Sequence, residues 1–273
     1  MHSVLVAYGG RCQTLPLMIS VVIPTLNAEA TLGPCLAALV PAALDGIVRQ
    51  VVIADGGSTD KTAAIADDAG ADFLVVKAGR GQQIIAGVAK ARNDWLLILH
   101  ADTVLEEGWQ AEASEFMSMV DSGQRKTGAA AFRFKLDDTG LMPRIIDGFV
   151  NFRSKFAKLP YGDQALLIPR RLHDQIGGFG PLPLMEDVDI VRRLGGNRLS
   201  ILKSRAHTSA IRYRRDGYLK RIARNQICLL MYTAGVPIER IAAFYQAKPA
   251  SAHIAAGSIE DHDKAPTHTI KPS

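Results

Sequence analysis

Long hydrophobic runs are missing from this sequence of 273 residues. The longest, residues 227–236, is about half of the roughly 18 residues that a membrane-spanning helix needs, and Thr233 and Gly235 interrupt it. Residues 1–17 also lack the basic flank that precedes the apolar part of a secretory signal peptide. We therefore expect neither a transmembrane span nor a signal peptide.

Cysteine is scarce as well. The chain has three cysteines, Cys12, Cys35 and Cys228, which lie far apart. An odd number at this spacing forms neither a disulfide framework nor a zinc site. We interpret them as small buried apolar residues in a reducing compartment, which indicates the cytoplasm.

Acidic residues are nearly absent from residues 203–224, where eight Lys or Arg residues face the single acid Asp216. The whole chain has a net charge of +5, so this segment carries more than the entire excess. Such a segment predicts a phosphate-bearing partner, namely a nucleoside diphosphate, a lipid phosphate or a membrane surface. A solvated helix face is the alternative. No nucleic-acid-binding motif accompanies it, so we expect no nucleic-acid partner.

Strands and helices alternate through the first hundred residues. Short apolar runs at 19–23, 50–54, 73–76 and 95–99 are separated by segments with helical spacing. This alternation predicts an α/β fold with a mostly parallel sheet and right-handed crossover helices. Later in the chain, the pattern predicts strands at 132–136, 164–168, 199–202 and 211–213 and helices at 143–158, 185–194, 218–234 and 237–246.

The chain is expected to divide into three parts. Because the first strong strand follows Met18 directly, residues 1–17 are predicted to be an N-terminal extension. Residues 18–246 form the predicted domain, which ends in a helical segment from about residue 217. Residues 247–273 are dominated by Ala, Ser, Pro, His and Lys without periodicity, and we expect them to be disordered.

Carboxylates follow the predicted strands. Asp102 comes just after the buried run 95–99, at the position where open α/β sheets bind ligands. Asp55 ends the second strand and precedes two glycines and a helix start, a combination that favours anions. Three more acids occur in short polar motifs: Asp163, Glu186 and Asp187. Carboxylate oxygens suit Mg²⁺ or Mn²⁺ on a diphosphate, so we expect these acids to share one crevice.

Four motifs in a fixed order carry a resemblance that covers residues 19–194. They are Val21-Val22-Ile23-Pro24-Thr25-Leu26-Asn27, residues 51–60, residues 97–102, and Gly177-Gly178-Phe179 followed by Glu186-Asp187. This order resembles the family 2 glycosyltransferases of the GT-A fold. The resemblance implies a Rossmann-like sheet and transfer of one sugar from a UDP- or GDP-sugar to a small or lipid acceptor, with Mg²⁺ or Mn²⁺ as cofactor.

A narrower resemblance rests on residues 79–83, 99–103, 161–164 and 184–188. These motifs look like a bacterial subgroup of the family that is described as associated with radical-SAM and selenium-domain genes. The resemblance leaves the acceptor of this subgroup open.

Two departures from the family pattern affect the expected chemistry. His100 occupies the first position of the usual Asp-X-Asp metal motif, so metal binding is expected to rest on Asp102 and on His207. His207 falls where many GT-A enzymes carry a late metal-binding histidine, and a purely structural role is its alternative. The Gln-X-X-Arg-Trp motif of processive polysaccharide synthases is absent, which indicates a single transfer.

The resemblance also implies a role for each candidate residue. Asp187 is expected to be the general base of an inverting transfer, and Glu186 either holds a hydroxyl or only stabilises its helix. The donor is expected to contact Pro24, Thr25, Asn27, Glu29, Asp55, Arg80, Gln83, Asp102, Asp163 and Gln164. For Glu29 the alternative is exposure to solvent, for the motif of Asp163 it is an ordinary turn, and Asp60 is expected to cap its own helix.

Two other functions compete with this interpretation. A sugar-phosphate nucleotidyltransferase needs a glycine-rich basic loop after its first strand, whereas residues 24–29 contain neither glycine nor a base. A degenerate nucleotide-sugar binding module is suggested by His100, but the retained acids argue against it. The predicted helices at 143–158 and 218–234 are apolar with basic fringes, which allows peripheral contact with the inner membrane face or ordinary core packing.

Overall fold

A computed structural model describes residues 3–8, 11–126, 128–156 and 159–246. The strands are β1 (Ser3–Tyr8), β2 (Arg11–Pro16), β3 (Ile19–Thr25), β4 (Val48–Asp55), β5 (Asp72–Val75), β6 (Trp95–Ile98), β7 (Thr103–Leu105), β8 (Ala129–Asp137), β9 (Leu166–Pro169) and β10 (Leu199–Ser209). The helices are α1 (Glu29–Ala37), α2 (Val40–Leu44), α3 (Thr62–Asp68), α4 (Arg80–Lys90), α5 (Trp109–Asp121), α6 (Leu141–Phe156), α7 (Arg170–Gln175), α8 (Glu186–Leu194), α9 (Ile211–Asp216), α10 (Tyr218–Thr233) and α11 (Ile238–Gln246).

Eight strands form one sheet in the order β5-β4-β3-β6-β9-β8-β10-β7. Strands β5, β4, β3 and β6 run parallel, and β10 runs parallel to β8. Strand β9 is antiparallel to both of its neighbours, and β7 is antiparallel to β10. This mostly parallel sheet with crossover helices confirms the predicted α/β class.

The centre of the sheet is buried on both faces, because helices cover both sides. Every residue of β3 and β6 is buried. On one face, Trp95 packs edge-on against Phe116 at 6.1 Å between ring centroids, and Trp109 packs likewise against Phe132 at 6.0 Å. This rigid centre fixes the carboxyl ends of β3, β4 and β6 beside one another, so the residues that follow these strands share one edge.

One predicted strand is a helix instead. Strand β10 extends to Ser209, and residues 211–213 belong to α9. The amide of Arg214 donates to the carbonyl of Ala210 at 2.8 Å, which is helical spacing. The alternation of Ile211 and Tyr213 suggested a strand, but Ile211 is 53% exposed and the segment has no buried face to support one.

The C-terminal helices lie over the carboxyl edge. Helices α10 and α11 confirm the predicted helices 218–234 and 237–246. Cys228 and Ile241 are fully buried and pack with Leu184, Met185 and Val188 near the start of α8. Cys228 and Cys35 are both buried free thiols, which agrees with their interpretation as small apolar residues.

The first two strands form a separate antiparallel pair, in which Ser3 faces Pro16 and Tyr8 faces Arg11. The division of the chain at residues 17 and 246 stays a prediction, and residues 247–273 lie outside the described residues. Among the described residues, no helix combines the length and the apolar character that crossing a bilayer requires.

Candidate active site

Two cavities open at the carboxyl edge of the sheet. The edge cavity, about 390 Å³, is formed by the loop after β3, the start of α4 and residues 100–102. The helical cavity, about 400 Å³, lies between α6, the start of α8 and α10. Four side chains line both cavities: Arg80, His100, Asp102 and Arg212. The two cavities therefore meet at one charged junction.

The junction holds two guanidinium groups, an imidazole and a carboxylate. Asp102 lies 3.6 Å from the guanidinium of Arg212, and Arg80 lies 3.2 Å from Glu186. The charge of Glu186, followed by that of Asp187, raises the pKa of Arg80 above its already high value. Burial, reinforced by the charge of Arg80, lowers the pKa of His100 to about 4. At neutral pH the junction thus presents two cations beside a neutral imidazole.

Asp55, an expected contact of the donor, has a carboxylate that holds the loop after β4. Its Oδ1 accepts hydrogen bonds from the hydroxyls of Thr25 (2.8 Å) and Ser58 (2.5 Å), and its Oδ2 accepts from the amides of Gly57 (2.8 Å) and Ser58 (2.6 Å). Burial raises the pKa of Asp55, but these hydrogen bonds outweigh it and leave the pKa below its ordinary value. Asp55 is not among the described residues that line the edge cavity or the helical cavity, whereas Thr25 lines the edge cavity.

Asn27 and Gln83 line the edge cavity and also fix its shape. Asn27 has a positive φ of 49°, and its Oδ1 accepts from the amide of Thr59 at 2.9 Å. The side-chain nitrogen of Gln83 donates to the carbonyls of Thr25 at 2.6 Å and Ala54 at 2.9 Å. Because the side-chain N–H groups of Gln83 donate to the ends of β3 and β4, Gln83 positions the cavity wall. Pro24, also predicted as a contact, lines the same cavity.

Glu29 is exposed to solvent, which was the alternative to a donor contact. It begins α1 outside the described lining of both cavities, and its carboxylate accepts from the amide of Lys61 at 3.3 Å. Asp60, one residue before the N-cap position Lys61, accepts from the amide of Thr62 at 3.0 Å at the start of α3. The structure gives no support to a donor contact by Glu29.

The acids at the start of α8 lie beside the junction. Glu186 is fully buried, and burial raises its pKa to about 7, although Arg80 opposes this rise. It lines a small cavity of about 20 Å³, which has room for about one water molecule. Asp187 lines both this small cavity and the helical cavity, and its Oδ1 accepts from the amide of Val188 at 2.8 Å.

A close backbone contact brings Arg80 to Glu186. The amide of Gly81 donates to the carbonyl of Leu182 at 2.9 Å. A Cβ atom at position 81 would lie only 2.3 Å from the carbonyl oxygen of Gly180. Only glycine therefore lets the first turn of α4 approach the loop that leads into α8.

Asp163 and Gln164, which were both expected to contact the donor, lie on the helical side of the site. Asp163 lines the helical cavity, its buried Oδ1 has no hydrogen-bond partner among the described residues, and burial raises its pKa to about 6. Gln164 is fully buried and lines neither cavity. Its amide group accepts from Ser154 at 2.7 Å and donates to the carbonyl of Phe132 at 2.9 Å, so it joins α6 to β8.

His207 lies on β10 and is not among the described residues that line the edge cavity or the helical cavity, whereas the next two residues of the strand, Thr208 and Ser209, line the helical cavity. Within the described part of the chain, no group of three or more His, Cys, Asp or Glu residues could hold a metal ion. The single carboxylate of Asp102 is compatible with a metal site, because Mg²⁺ or Mn²⁺ commonly uses one protein carboxylate and takes its other ligands from phosphates and water.

Sequence reasoning missed two junction residues. His100 was noted only as a departure from the metal motif, although its place two residues before Asp102 already put it at the strand end. Arg212 lies in the basic segment for which a phosphate-bearing partner was predicted, but it was not singled out from the other seven Lys and Arg residues there. The concentration of charge in 203–224 was the signal that pointed to this part of the chain.

A family comparison identifies the class of protein. The model for glycosyl transferase family 2 matches residues 20–174, which is more than half of the chain. The chain belongs to glycosyltransferase family 2. This membership argues against the nucleotidyltransferase alternative.

Relatives and solved structures of family 2 proteins agree with the fold. A PGL/p-HBAD biosynthesis glycosyltransferase of Mycobacterium tuberculosis is 38% identical over 103 residues, which cover 33% of this chain and 37% of that protein. A glucosyl-3-phosphoglycerate synthase of Mycolicibacterium paratuberculosis is 30% identical over 95 residues, covering 32% and 29%. The matches thus span only about a third of these curated relatives.

Solved structures match over a longer part of the chain. A glucosyl-3-phosphoglycerate synthase from M. tuberculosis, in complex with Mn²⁺, UDP and glucosyl-3-phosphoglycerate, aligns with a TM-score of 0.54 at 20% identity and covers 81% of each chain. TarS 1–349 from S. aureus aligns with a TM-score of 0.53 at 18% identity, covering 71% of this chain and 60% of that chain. These alignments confirm the GT-A fold.

Proposed function

We propose that this chain transfers a single sugar from a nucleoside-diphosphate sugar in the edge cavity to an acceptor in the helical cavity. The observation that carries the proposal is the junction, where Arg80, His100, Asp102 and Arg212 line both cavities. A donor bound across the junction would place its diphosphate between the two guanidinium groups and its sugar at the mouth of the helical cavity.

The nucleoside would lie against Pro24, Thr25 and Asn27 on the floor of the edge cavity. UDP and GDP are both candidates, and the UDP complex of the M. tuberculosis synthase favours UDP. Arg80 and Arg212 would neutralise the diphosphate, since a guanidinium can pair with two phosphate oxygens at once. Glu186 keeps Arg80 in place and acts as a positioning residue.

Asp102 would hold a divalent cation on the donor diphosphate. Its place at the junction and its single carboxylate suit Mg²⁺ or Mn²⁺ shared with phosphate oxygens. The Mn²⁺ in the M. tuberculosis synthase supports this choice of metal. When bound, the metal supplies Lewis-acid stabilisation of the charge that grows on the leaving diphosphate. His207 remains without support as a second ligand.

Asp187 is the proposed general base because it lines the helical cavity beside the junction. The acceptor hydroxyl attacks the anomeric carbon, its proton passes to the Asp187 carboxylate, and a new carbon–oxygen bond forms. The bond to the diphosphate breaks, and the nucleoside diphosphate leaves with the electron pair. Since the attack comes from the side opposite the leaving group, the anomeric configuration inverts.

We propose a cytoplasmic enzyme whose acceptor is a small molecule or a lipid, with peripheral contact at the inner face of a membrane. The motifs at 79–83 and 161–164 support membership of the subgroup associated with radical-SAM and selenium-domain genes. The separate β1–β2 pair supports a domain that begins near residue 18, after an N-terminal extension.

A thermal-shift screen of UDP- and GDP-sugars, with and without Mn²⁺, tests the proposal. A ligand that binds the native state raises its melting temperature by mass action. We expect one nucleotide sugar to stabilise the protein more strongly when Mn²⁺ is present and to be consumed slowly, with release of the nucleoside diphosphate. Binding without any hydrolysis or transfer would indicate a binding module, and absence of binding would contradict the proposal.

A further inference from the structure

The wall of the helical cavity continues as an apolar stripe on the surface of α6. Ile145, Phe149, Phe152 and Phe156 follow one another at intervals of three or four residues and therefore share one helix face. Their exposed fractions are 52%, 53%, 63% and 67%. Ile145 and Phe149 also line the helical cavity, so the stripe runs from inside the cavity to the protein surface.

An apolar stripe of this kind differs from scattered surface residues. Phe152 and Phe156 lie with ring centroids 4.5 Å apart, so they form one contiguous patch. On α10, Leu219 and Leu230 are 72% and 66% exposed. Contiguous exposed apolar surface marks a site of interaction with a ligand, a protein or a membrane.

Positive charge surrounds the stripe. Helices α6, α9 and α10 carry nine Lys or Arg residues and only two acids, Asp147 and Asp216. Among the described residues, Arg144, Lys155, Lys220 and Arg224 form no ion pair with a carboxylate within 4.0 Å. This surface would attract anionic groups that lie beside an apolar phase.

The cavity itself offers a cation to an anionic group. Arg153 lines it, stacks on the ring of Tyr161 at 3.9 Å and donates to the carbonyl of Leu159 at 3.1 Å. It forms no carboxylate ion pair within 4.0 Å among the described residues, in contrast to Arg80 and Arg212. Its guanidinium is thus held in place and keeps donors for a ligand.

We infer that the acceptor is a lipid that carries an anionic group, with the anion at Arg153 and the apolar chain along the α6 stripe toward a membrane surface. The inference rests on the proposed function, because it assigns the helical cavity to the acceptor. Continuity of the stripe with the cavity favours a bound lipid over a second protein chain, which would cover the surface without entering the site.

Binding of a simple amphiphile tests both halves of the inference. Octyl phosphate, 1-octanol and inorganic phosphate are titrated separately into the full-length protein by calorimetry. We expect octyl phosphate to bind at least about tenfold more tightly than either other probe, a difference of about 1.4 kcal/mol. Equal binding of 1-octanol would overturn the anionic group, and equal binding of inorganic phosphate would overturn the apolar chain.

Two substitutions on one helix locate the anion. Arg153→Gln should weaken octyl phosphate binding to the level of 1-octanol. Arg144 lies on the same helix but is not among the described residues that line the cavity, so Arg144→Gln should leave this binding unchanged. An equal effect of the two variants would show general attraction by surface charge and would contradict a site at Arg153.

Sedimentation with lipid vesicles tests whether the apolar stripe of α6 binds a membrane. We expect the protein to sediment with vesicles that contain phosphatidylglycerol and not with vesicles of phosphatidylcholine alone. Phe152→Ser combined with Phe156→Ser should abolish sedimentation, whereas Leu44→Ser, at a residue that is 84% exposed on α2, should not. Unchanged sedimentation of the double variant would overturn the lipid assignment, as would a dimer that buries the stripe in the absence of lipid.

Donor binding separates the two proposals. If the protein is stabilised by a nucleotide sugar and does not bind octyl phosphate, the lipid inference fails and the proposed function stands. If no nucleotide sugar binds, the proposed function fails, whatever the amphiphile does.

Discussion

The buried acids beside the two cavities have pKa values shifted in opposite directions. Beside the edge cavity, Asp55 accepts four hydrogen bonds from the chain, and its pKa lies below the ordinary value. In and beneath the helical cavity, the buried Oδ1 of Asp163 has no hydrogen-bond partner among the described residues, Glu186 lies 3.2 Å from the guanidinium of Arg80, and burial raises the two pKa values to about 6 and about 7.

The difference shows what each cavity needs from a ligand. A carboxylate whose oxygens are all occupied fixes a loop, and the edge cavity is therefore largely formed before a ligand arrives. A buried carboxyl without a partner is costly to ionise, and a ligand hydroxyl that donates to it would remove part of that cost. The edge cavity is rigid scaffolding, whereas the helical cavity holds polar groups that a ligand can satisfy.

Asp187→Asn should have the largest effect on the helical side. Loss of a general base lowers the rate of transfer by about 10³-fold, while donor binding stays near the wild-type level. The check is kcat from release of the nucleoside diphosphate, together with the dissociation constant of the donor. Asp67→Asn, an exposed acid on α3, is the matched control. If donor binding is lost and kcat survives, Asp187 belongs to donor binding instead.

Asp102→Asn should lower the rate by about 10²-fold, because an amide holds a divalent cation on the diphosphate less well than a carboxylate. The rate of the variant should also rise less steeply with Mn²⁺ concentration. Titration of Mn²⁺ at saturating donor provides the measurement. A variant with the wild-type rate and Mn²⁺ dependence would exclude Asp102 as the metal ligand.

The edge cavity was more predictable than the helical one, for a topological reason. Parallel strands end at one edge, so the residues at the ends of β3 and β6 had to meet; Thr25 and Asp102 follow that rule, whereas Arg80 was expected there from the family resemblance. The rule does not say which way a side chain turns. Asp55 and Gln83 turn inward because Thr25, distant in sequence, supplies their hydrogen-bond partners.

On the helical side, the sequence pattern did not predict which side chains enter the cavity. His207 lies outside the described lining of both cavities, although the next two residues of β10 line the helical cavity. Arg212 was one of eight Lys and Arg residues in 203–224, and the incorrect strand at 211–213 left its position at the sheet edge unknown. Arg153 reaches the cavity from α6, and no local motif connects that helix with the acids at the start of α8.

Gln83→Leu tests the rigidity of the edge cavity. The substitution leaves two strand-end carbonyls without their donor and should lower the free energy of unfolding by about 3 kcal/mol. Chemical denaturation measures the change. Gln82→Leu, at the exposed neighbouring residue, should have little effect. If both variants unfold alike, Gln83 does not tie the strands together.

Asp163→Asn tests the unsatisfied acid of the helical cavity through pH. The folded pKa of about 6 lies above the ordinary value, so stability contributed by the neutral carboxyl is present at low pH and lost as pH rises through 6. Asparagine cannot ionise. The unfolding free energy of the variant, relative to wild type, should therefore rise by about 2 kcal/mol between about pH 4 and about pH 7. A difference that is independent of pH would show that Asp163 is well solvated or paired.

Glu29→Gln should have the smallest effect of all. Its side chain is 45% exposed and its carboxylate lies 3.8 Å from Lys61, a geometry that stabilises a protein by less than about 0.5 kcal/mol. Donor affinity should not change, whereas Asn27→Ala, which alters a residue that lines the edge cavity, should weaken it. Isothermal titration with the nucleotide sugar compares the two variants. If Glu29→Gln weakens the donor as much as Asn27→Ala does, the edge cavity extends onto the first turn of α1, and part of its surface would then form only when the donor binds.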